Sequence, residues 1–142
     1  LHKAYFQAPE ALIVLVALYR YYFYQHRLED ALIVAHRALA IVGARLGFAG
    51  SWENLHQDML GLAVLKSMGL LRFYLHVLKA AGYINLRLGR DETGRAMIGK
   101  LIELDSHDRM GGKALIAVLE VEDEAEAPVV IHQTERNLAW MN

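Results

Sequence analysis

The stretch that most constrains the fold is residues 82–108, GYINLRLGRDETGRAMIGKLIELDSHD, which has the pattern of two helices joined by a tight turn. Gly89 is of the residue type that ends a helix in a left-handed conformation, and Arg87 places a base in the turn before it. Asp91 and Glu92 place acids in the first turn of the next helix. The stretch therefore predicts a helical hairpin that folds back across Gly89.

The N-terminal part of the chain predicts a second hairpin. Pro9 and Glu10 have the pattern of a helix start, and that helix can extend to about Arg27. Its first half is apolar on every side, which predicts burial between other helices. After a turn near His26, residues 28–48 predict the second helix. Small residues on one face of it let a neighbouring helix approach closely: Ala31, Ala35 and Ala38.

The rest of the chain also has helical patterns. Ser51 is a candidate N-cap for a short helix over residues 52–60, and a break is expected near residues 67–69. Residues 105–108 (DSHD) predict a capping cluster, and residues 113–121 (KALIAVLEV) predict a final helix. We therefore expect an all-α fold of six or seven helices, closed by a capping helix.

Domain organisation follows from a change in composition near residue 120. Residues 1–119 predict one helical domain, and residues 120–128 predict an acidic linker because they hold five acids and no base. Residues 129–142 predict a C-terminal tail with large apolar side chains, which either docks on the domain or binds a partner: Leu138, Trp140 and Met141.

Composition disfavours several classes of protein. The net charge of −1 gives no overall attraction for nucleic acid or anionic lipid. The chain has no cysteine, which is typical of a cytoplasmic protein and leaves no thiol nucleophile or thiolate metal ligand. The longest apolar run, residues 11–19, is much shorter than the ~20 residues that span a membrane. We expect a cytoplasmic protein without a membrane partner.

No motif indicates catalysis, a metal site or a cofactor. None of the seven histidines has another histidine three or four residues away, which is the local spacing of helical metal ligands. Ser106, His107 and Asp108 are adjacent in sequence, whereas members of a catalytic triad come from separate segments. The glycine pairs lack the strand and the Lys-Ser/Thr of a phosphate-binding loop. We therefore expect a protein that is not an enzyme.

The two predicted hairpins resemble the tetratricopeptide repeat, a two-helix unit of about 34 residues. The second hairpin has the small and turn residues of that family, together with its closing Leu-Asp: Gly82, Gly89, Gly94, Leu104 and Asp105. The first hairpin has a matching aromatic residue, leucine and alanines: Tyr22, Leu28, Ala31 and Ala38. Three positions depart from the family pattern: Tyr19, Leu101 and Ser106. Ala31 and Gly94 are 63 residues apart, so the segment between the hairpins is not a regular unit.

The resemblance implies a fragment of an α-solenoid whose groove is lined by the first helix of each hairpin. The best candidates for binding a partner on those faces are basic and aromatic: Arg20, Tyr24, His76, Lys79, Tyr83 and Arg87. Such residues suit an extended protein segment or peptide, and their charge favours an acidic one. The acidic residues 120–126 are a candidate competitor for the same groove.

The chain also resembles small repeat proteins encoded among nitrogen-fixation accessory genes, which implies an adaptor or assembly chaperone in nitrogenase maturation. Chaperones of type III secretion are the alternative that the repeat resemblance leaves open. A single-stranded nucleic-acid binder is a weaker alternative, based on the aromatic and basic residues 20–27. Exposed aromatic residues also leave a homo-oligomer open.

Overall fold

The structure is a computed structural model that describes residues 9–48 and 50–125. These ranges contain no strand and fold into six α-helices: α1 (Pro9–Tyr24), α2 (Leu28–Arg45), α3 (Leu60–Lys66), α4 (Met68–Arg87), α5 (Asp91–Leu104) and α6 (Gly112–Ala125). The all-α prediction and the expected number of helices are confirmed. Among the described residues, no helix is both long and apolar enough to cross a membrane.

The hairpin of α4 and α5 turns at Gly89, as the sequence predicts. Gly89 has a φ of +79°, a left-handed conformation that costs glycine little. The Arg90 amide donates to the Asn85 carbonyl at 2.8 Å, and the Gly89 amide donates to the Leu86 carbonyl at 3.0 Å. These two bonds satisfy carbonyls at the end of α4 and reverse the chain.

The hairpin of α1 and α2 has the same turn with a different residue at its centre. His26 has a φ of +58°, and the Arg27 amide donates to the Tyr22 carbonyl at 2.8 Å. The first helix ends at Tyr24, three residues before the predicted limit of Arg27, because this turn begins there. The two hairpins therefore share their backbone turn, although one is centred on histidine and the other on glycine.

The two hairpins pack side by side. Helix α2 contacts both its own partner α1 and the first helix of the second hairpin, α4. At the turns, the Arg90 guanidinium donates to a Glu29 carboxylate oxygen at 2.7 Å, so an exposed ion pair joins one turn to the other. Helix α6 then packs on α5 and closes the stack.

Helices α4 and α5 approach closely at two glycines. A Cβ atom on Gly94 would lie 2.7 Å from Leu86 Cγ and 2.9 Å from the Gly82 carbonyl oxygen. A Cβ atom on Gly82 would lie 2.6 Å from Ile98 Cδ1. These distances are shorter than van der Waals contact. At Gly94 one of the contacting atoms is a backbone oxygen, so this position needs glycine, as expected where two helices cross.

The segment between the hairpins differs from the short helix that the sequence predicts over residues 52–60. Ser51 does cap a turn, but that turn is a short 3-10 helix (Trp52–Asn54), and a second one follows (Gln57–Met59). The interruption is at Leu55, whose extended backbone buries its side chain. Its carbonyl accepts a hydrogen bond from Lys100 Nζ at 2.8 Å. Long-range contacts with α5 thus override the local helical pattern.

The predicted break near residues 67–69 is confirmed. Ser67 has an extended backbone between α3 and α4, and its hydroxyl accepts a hydrogen bond from the Leu70 amide at 3.1 Å. Ser67 is therefore the N-cap of α4.

The predicted capping cluster lies between α5 and α6. The buried Asp105 carboxylate accepts hydrogen bonds from the amides of Arg109 (3.1 Å) and Met110 (2.8 Å). The Asp108 carboxylate accepts one from the amide of Lys113, in the first turn of α6.

Helix α6 continues to Ala125, so the predicted acidic linker is helical from residue 120 to residue 125. The end of that linker and the predicted tail of residues 129–142 lie outside the described residues.

Candidate functional site

An apolar hollow opens between α1, α2 and α4, and we call it the inner cavity. Its volume is about 240 Å³. Side chains from all three helices line it: Leu15, Val16, Tyr19, Arg20, Val34, Ala35, Ala38, Phe73, His76, Val77 and Ala80. Tyr19 is the counterpart of Gly82 in the second hairpin, 63 residues later. The cavity thus lies beside a position at which the first hairpin has a large ring where the second has a glycine.

A second hollow lies beside it along α1, and we call it the outer groove. It is wider, with about 540 Å³ of open space, and its lining is shared with the inner cavity at Val16, Arg20 and Phe73. The other lining residues come from α1: Leu12, Ile13 and Ala17. The two hollows are therefore adjoining parts of one site.

Two of the six residues predicted to bind a partner, Arg20 and His76, meet at the inner cavity. Both are exposed at its edge. Among the residues that the structure describes, no acidic side chain forms an ion pair with Arg20. Burial lowers the pKa of His76, and the positive charges of Lys79 and Arg72 lower it further. His76 is therefore neutral at pH 7, and Arg20 provides the permanent charge of the cavity.

Tyr19 adds a buried polar group to the same wall. Its hydroxyl is shielded from solvent and has no hydrogen-bond partner within residues 9–48 and 50–125. Burial raises the pKa of Tyr19, with smaller contributions from Tyr83 and Tyr24, so the phenol stays protonated. A buried hydroxyl without a partner costs about 1–3 kcal/mol.

Three further predicted residues lie together at the turn end of the hairpins. Tyr83 is 4% exposed, and its hydroxyl accepts a hydrogen bond from Arg87 Nη1 at 3.0 Å. The Arg87 guanidinium also lies 5.7 Å from the Tyr83 ring centre. Phe23 connects the Tyr83 ring to that of Tyr24, at centroid distances of 6.4 and 5.9 Å. These residues form an aromatic cluster that adjoins the inner cavity, because the Phe23 ring stacks on the Tyr19 ring of its lining at a centroid distance of 6.0 Å.

The sixth predicted residue, Lys79, lies elsewhere. It is 6% exposed, and its ammonium group donates to the Met110 carbonyl in the loop between α5 and α6. Burial lowers the pKa of Lys79, while the nearby carboxylates of Asp108 and Asp105 oppose that shift. In this structure Lys79 links α4 to the loop before α6 and does not line the inner cavity.

The sequence does not identify the α2 side of the inner cavity. Ala35 and Ala38 belong to the small-residue face that predicts close helix packing, and both are buried in hydrophobic clusters and also line the cavity. Ala31, on the same face, is fully buried in the core. Tyr19 could have indicated the cavity from the sequence, because a large ring where two helices cross prevents close packing along the whole face.

The described residues contain no group of three or more His, Asp or Glu side chains that could hold a metal ion.

Comparison with known proteins identifies a relative of this chain. No protein-family model and no solved structure matches it. A curated protein of Azotobacter chroococcum mcd 1, described as an uncharacterized 19.8 kDa protein in the nifW 5' region, is 45% identical over 130 residues. The match covers 92% of this chain and 71% of that protein. The chain belongs to the same family as this protein of the nifW 5' region.

Proposed function

We propose that this protein is a non-catalytic accessory factor of nitrogen fixation that binds a segment of a partner protein along α1 and the outer groove. The location of its relative in the nifW 5' region supports the connection with nitrogen fixation. The repeat-like stacking of two hairpins supports a binding role, because stacked helical hairpins present extended surfaces of this kind.

The observation that carries the proposal is the apolar outer face of α1. Ile13 is 69% exposed and Tyr21 is 55% exposed, and Val14 and Tyr24 are each half exposed. A contiguous exposed apolar face on a helix is typical of a protein interaction surface.

Charge favours an acidic partner. Helices α1 and α4 contain one acidic residue, Glu10, against four basic ones. Three of these are exposed: Arg20, Arg72 and Arg87. Since complementary charges guide encounter and orientation, the partner segment would combine apolar anchors with acidic side chains. Adaptor and assembly-chaperone roles both fit this mode of binding.

Co-purification from the native cell tests the proposal. Tagged wild-type protein and the variants Ile13→Asp and Arg20→Glu would be isolated from cells that fix nitrogen, and the captured proteins would be quantified. We expect the same partner to be depleted in both variants. Ile33→Asp is the control, because Ile33 is also an exposed isoleucine (54%, against 69% for Ile13) but lies on α2. A partner retained equally by all variants would contradict binding along α1.

Growth tests the connection with nitrogen fixation. A strain that produces Ile13→Asp in place of the wild type should grow more slowly on dinitrogen and normally on ammonium. Equal growth of wild type, variant and deletion strain on dinitrogen would contradict an accessory role.

A further inference from the structure

We propose that the inner cavity binds a free medium-chain monocarboxylate, with its hydrocarbon chain among the apolar side chains of α1, α2 and α4 and its carboxylate beside Arg20. This ligand site goes beyond the proposed function, which concerns a protein partner on the outer face of α1. It does not depend on that function.

The volume of the inner cavity fits a short hydrocarbon chain. Protein interiors are packed so tightly that few voids exceed one water molecule. An engineered apolar cavity of about 150 Å³ holds a benzene molecule. The inner cavity has about 240 Å³, so on the same scale it holds about ten carbon atoms. A chain of roughly eight to ten carbons therefore matches its size.

The walls of the inner cavity are mostly apolar. Eight of the eleven lining residues are apolar, and none is acidic. Such a lining favours an aliphatic chain and gives a cation no partner. The polar groups are restricted to three residues: Tyr19, Arg20 and His76.

The edge of the inner cavity has a positive charge at Arg20. Arg20 is exposed and has no acidic partner among the described side chains, so a planar guanidinium is available to a carboxylate. His76 is the second polar residue at this edge, and in its neutral form it can donate one hydrogen bond. One permanent positive charge suits one carboxylate better than a dianionic phosphate.

An aliphatic side chain of a docked protein would fill the inner cavity less completely than a free ligand. A leucine side chain has four carbons and would fill less than half of a cavity that holds about ten. A fatty-acid chain fills it with one molecule. The cavity also continues from α1 to Val34, Ala35 and Ala38 on α2.

The experiment measures binding of decanoate to the full chain by isothermal titration calorimetry, below the concentration at which decanoate forms micelles. We expect saturable binding of one molecule per chain. Decanol, which has the same chain without the charge, should bind at least about tenfold more weakly, as should decanoate to Arg20→Gln, because a hydrogen bond to a charged group is lost in both cases.

Two matched variants locate the site. Ala38→Leu adds three carbons to the cavity wall and should weaken decanoate binding at least about tenfold, since the ligand and the new side chain need the same space. Ala40→Leu makes the same change on the exposed side of α2 and should leave binding unchanged. Circular dichroism would verify that both variants fold, and Arg20→Gln, at an exposed position, provides an independent test should Ala38→Leu not fold.

Several results would overturn the proposal. These are no binding of decanoate to the wild type, equal affinities for decanoate and decanol, and equal loss of affinity in Ala40→Leu and Ala38→Leu. Tighter binding of N-acetyltryptophanamide than of decanoate would also overturn it, because the cavity would then prefer an aromatic side chain. Failure of decanoate binding leaves the partner surface on α1 untouched, since Ile13→Asp tests that surface separately.

Discussion

Gly94 determines how closely α5 can approach α4. In an open helix, alanine is favoured over glycine by about 1 kcal/mol. At Gly94, however, a Cβ atom would lie 2.9 Å from the carbonyl oxygen of Gly82, and a backbone atom cannot move aside without shifting the helix. We expect Gly94→Ala to lower the free energy of unfolding by about 1–2 kcal/mol, measured by urea denaturation.

Gly99 is the matched control in the same helix. A Cβ atom there meets nothing within 4 Å, so Gly99→Ala should raise the free energy of unfolding by about 0.5–1 kcal/mol. Equal effects of the two substitutions, in either direction, would contradict the assignment of Gly94 to a helix crossing.

Asp105 caps the loop between α5 and α6. It accepts hydrogen bonds from the amides of Arg109 and Met110, and it is buried. Removing the acceptor strands these amides, which costs about 1–3 kcal/mol. We expect Asp105→Ala to lower the free energy of unfolding by that amount, whereas Ser106→Ala, at an exposed neighbouring position, should change it little. Thermal unfolding of both variants would measure these changes. A larger loss of stability in Ser106→Ala than in Asp105→Ala would contradict this role.

Both hairpins contain the same backbone turn, one at His26 and the other at Gly89. In both hairpins the central residue has a positive φ, but His26 has a Cβ atom and Gly89 does not. A left-handed conformation costs a residue with a Cβ about 1–2 kcal/mol, and glycine loses about 0.5–1 kcal/mol more entropy on folding. His26→Gly should therefore raise the free energy of unfolding by about 0.5–1 kcal/mol.

Gln25→Gly is the control for this turn, since Gln25 is adjacent to His26 and has no positive φ. It should be neutral or destabilising, because it adds chain entropy without relieving strain. Guanidinium unfolding curves of both variants would decide the matter: stabilisation by Gln25→Gly equal to that by His26→Gly would attribute the effect to something other than the backbone conformation of His26.

Local signals in the sequence were sufficient to predict most of the helices and the two hairpin turns. Gly89 and the acids after it predict one hairpin, residues 67–69 predict a break and Asp105 belongs to a predicted capping cluster, and the structure contains all three. The predicted helix over residues 52–60 was wrong because Leu55 is held by Lys100, which lies 45 residues away. The helical spacing of Lys79 predicts a side chain that lies on the groove-lining face. In the structure its ammonium group instead donates to the Met110 carbonyl, 31 residues away in sequence.

At the scale of the whole molecule, the site depends on contacts that no single segment of sequence contains. The inner cavity is enclosed by α1, α2 and α4, and its volume depends on how the two hairpins stack. Arg20 and His76 could be predicted to face the same groove, because helical spacing places each on one face of its helix. That Tyr83 and Lys79 are buried while Arg20 is exposed depends on the position of α6, which spacing within α4 does not specify.

The pH dependence of stability tests the packing of the whole stack. Burial lowers the pKa of both His36 on α2 and His76 on α4 from the ordinary value of 6.5. A base with a lower pKa in the folded chain is protonated preferentially in the unfolded chain, so unfolding takes up protons and the free energy of unfolding increases with pH. We expect stability to rise from about pH 5 to pH 6.5 and to level off above it.

Urea denaturation at half-unit steps from pH 5 to pH 8 would measure this dependence. The double variant His36→Gln/His76→Gln should have a flatter profile between about pH 5 and 6.5, because its unfolded chain loses the two preferentially protonated groups. His107→Gln, at an exposed position in the loop before α6, is the control and should keep the wild-type slope. A wild-type profile that falls as the pH rises through this range would contradict a lowered pKa of His36 and His76 in the folded chain.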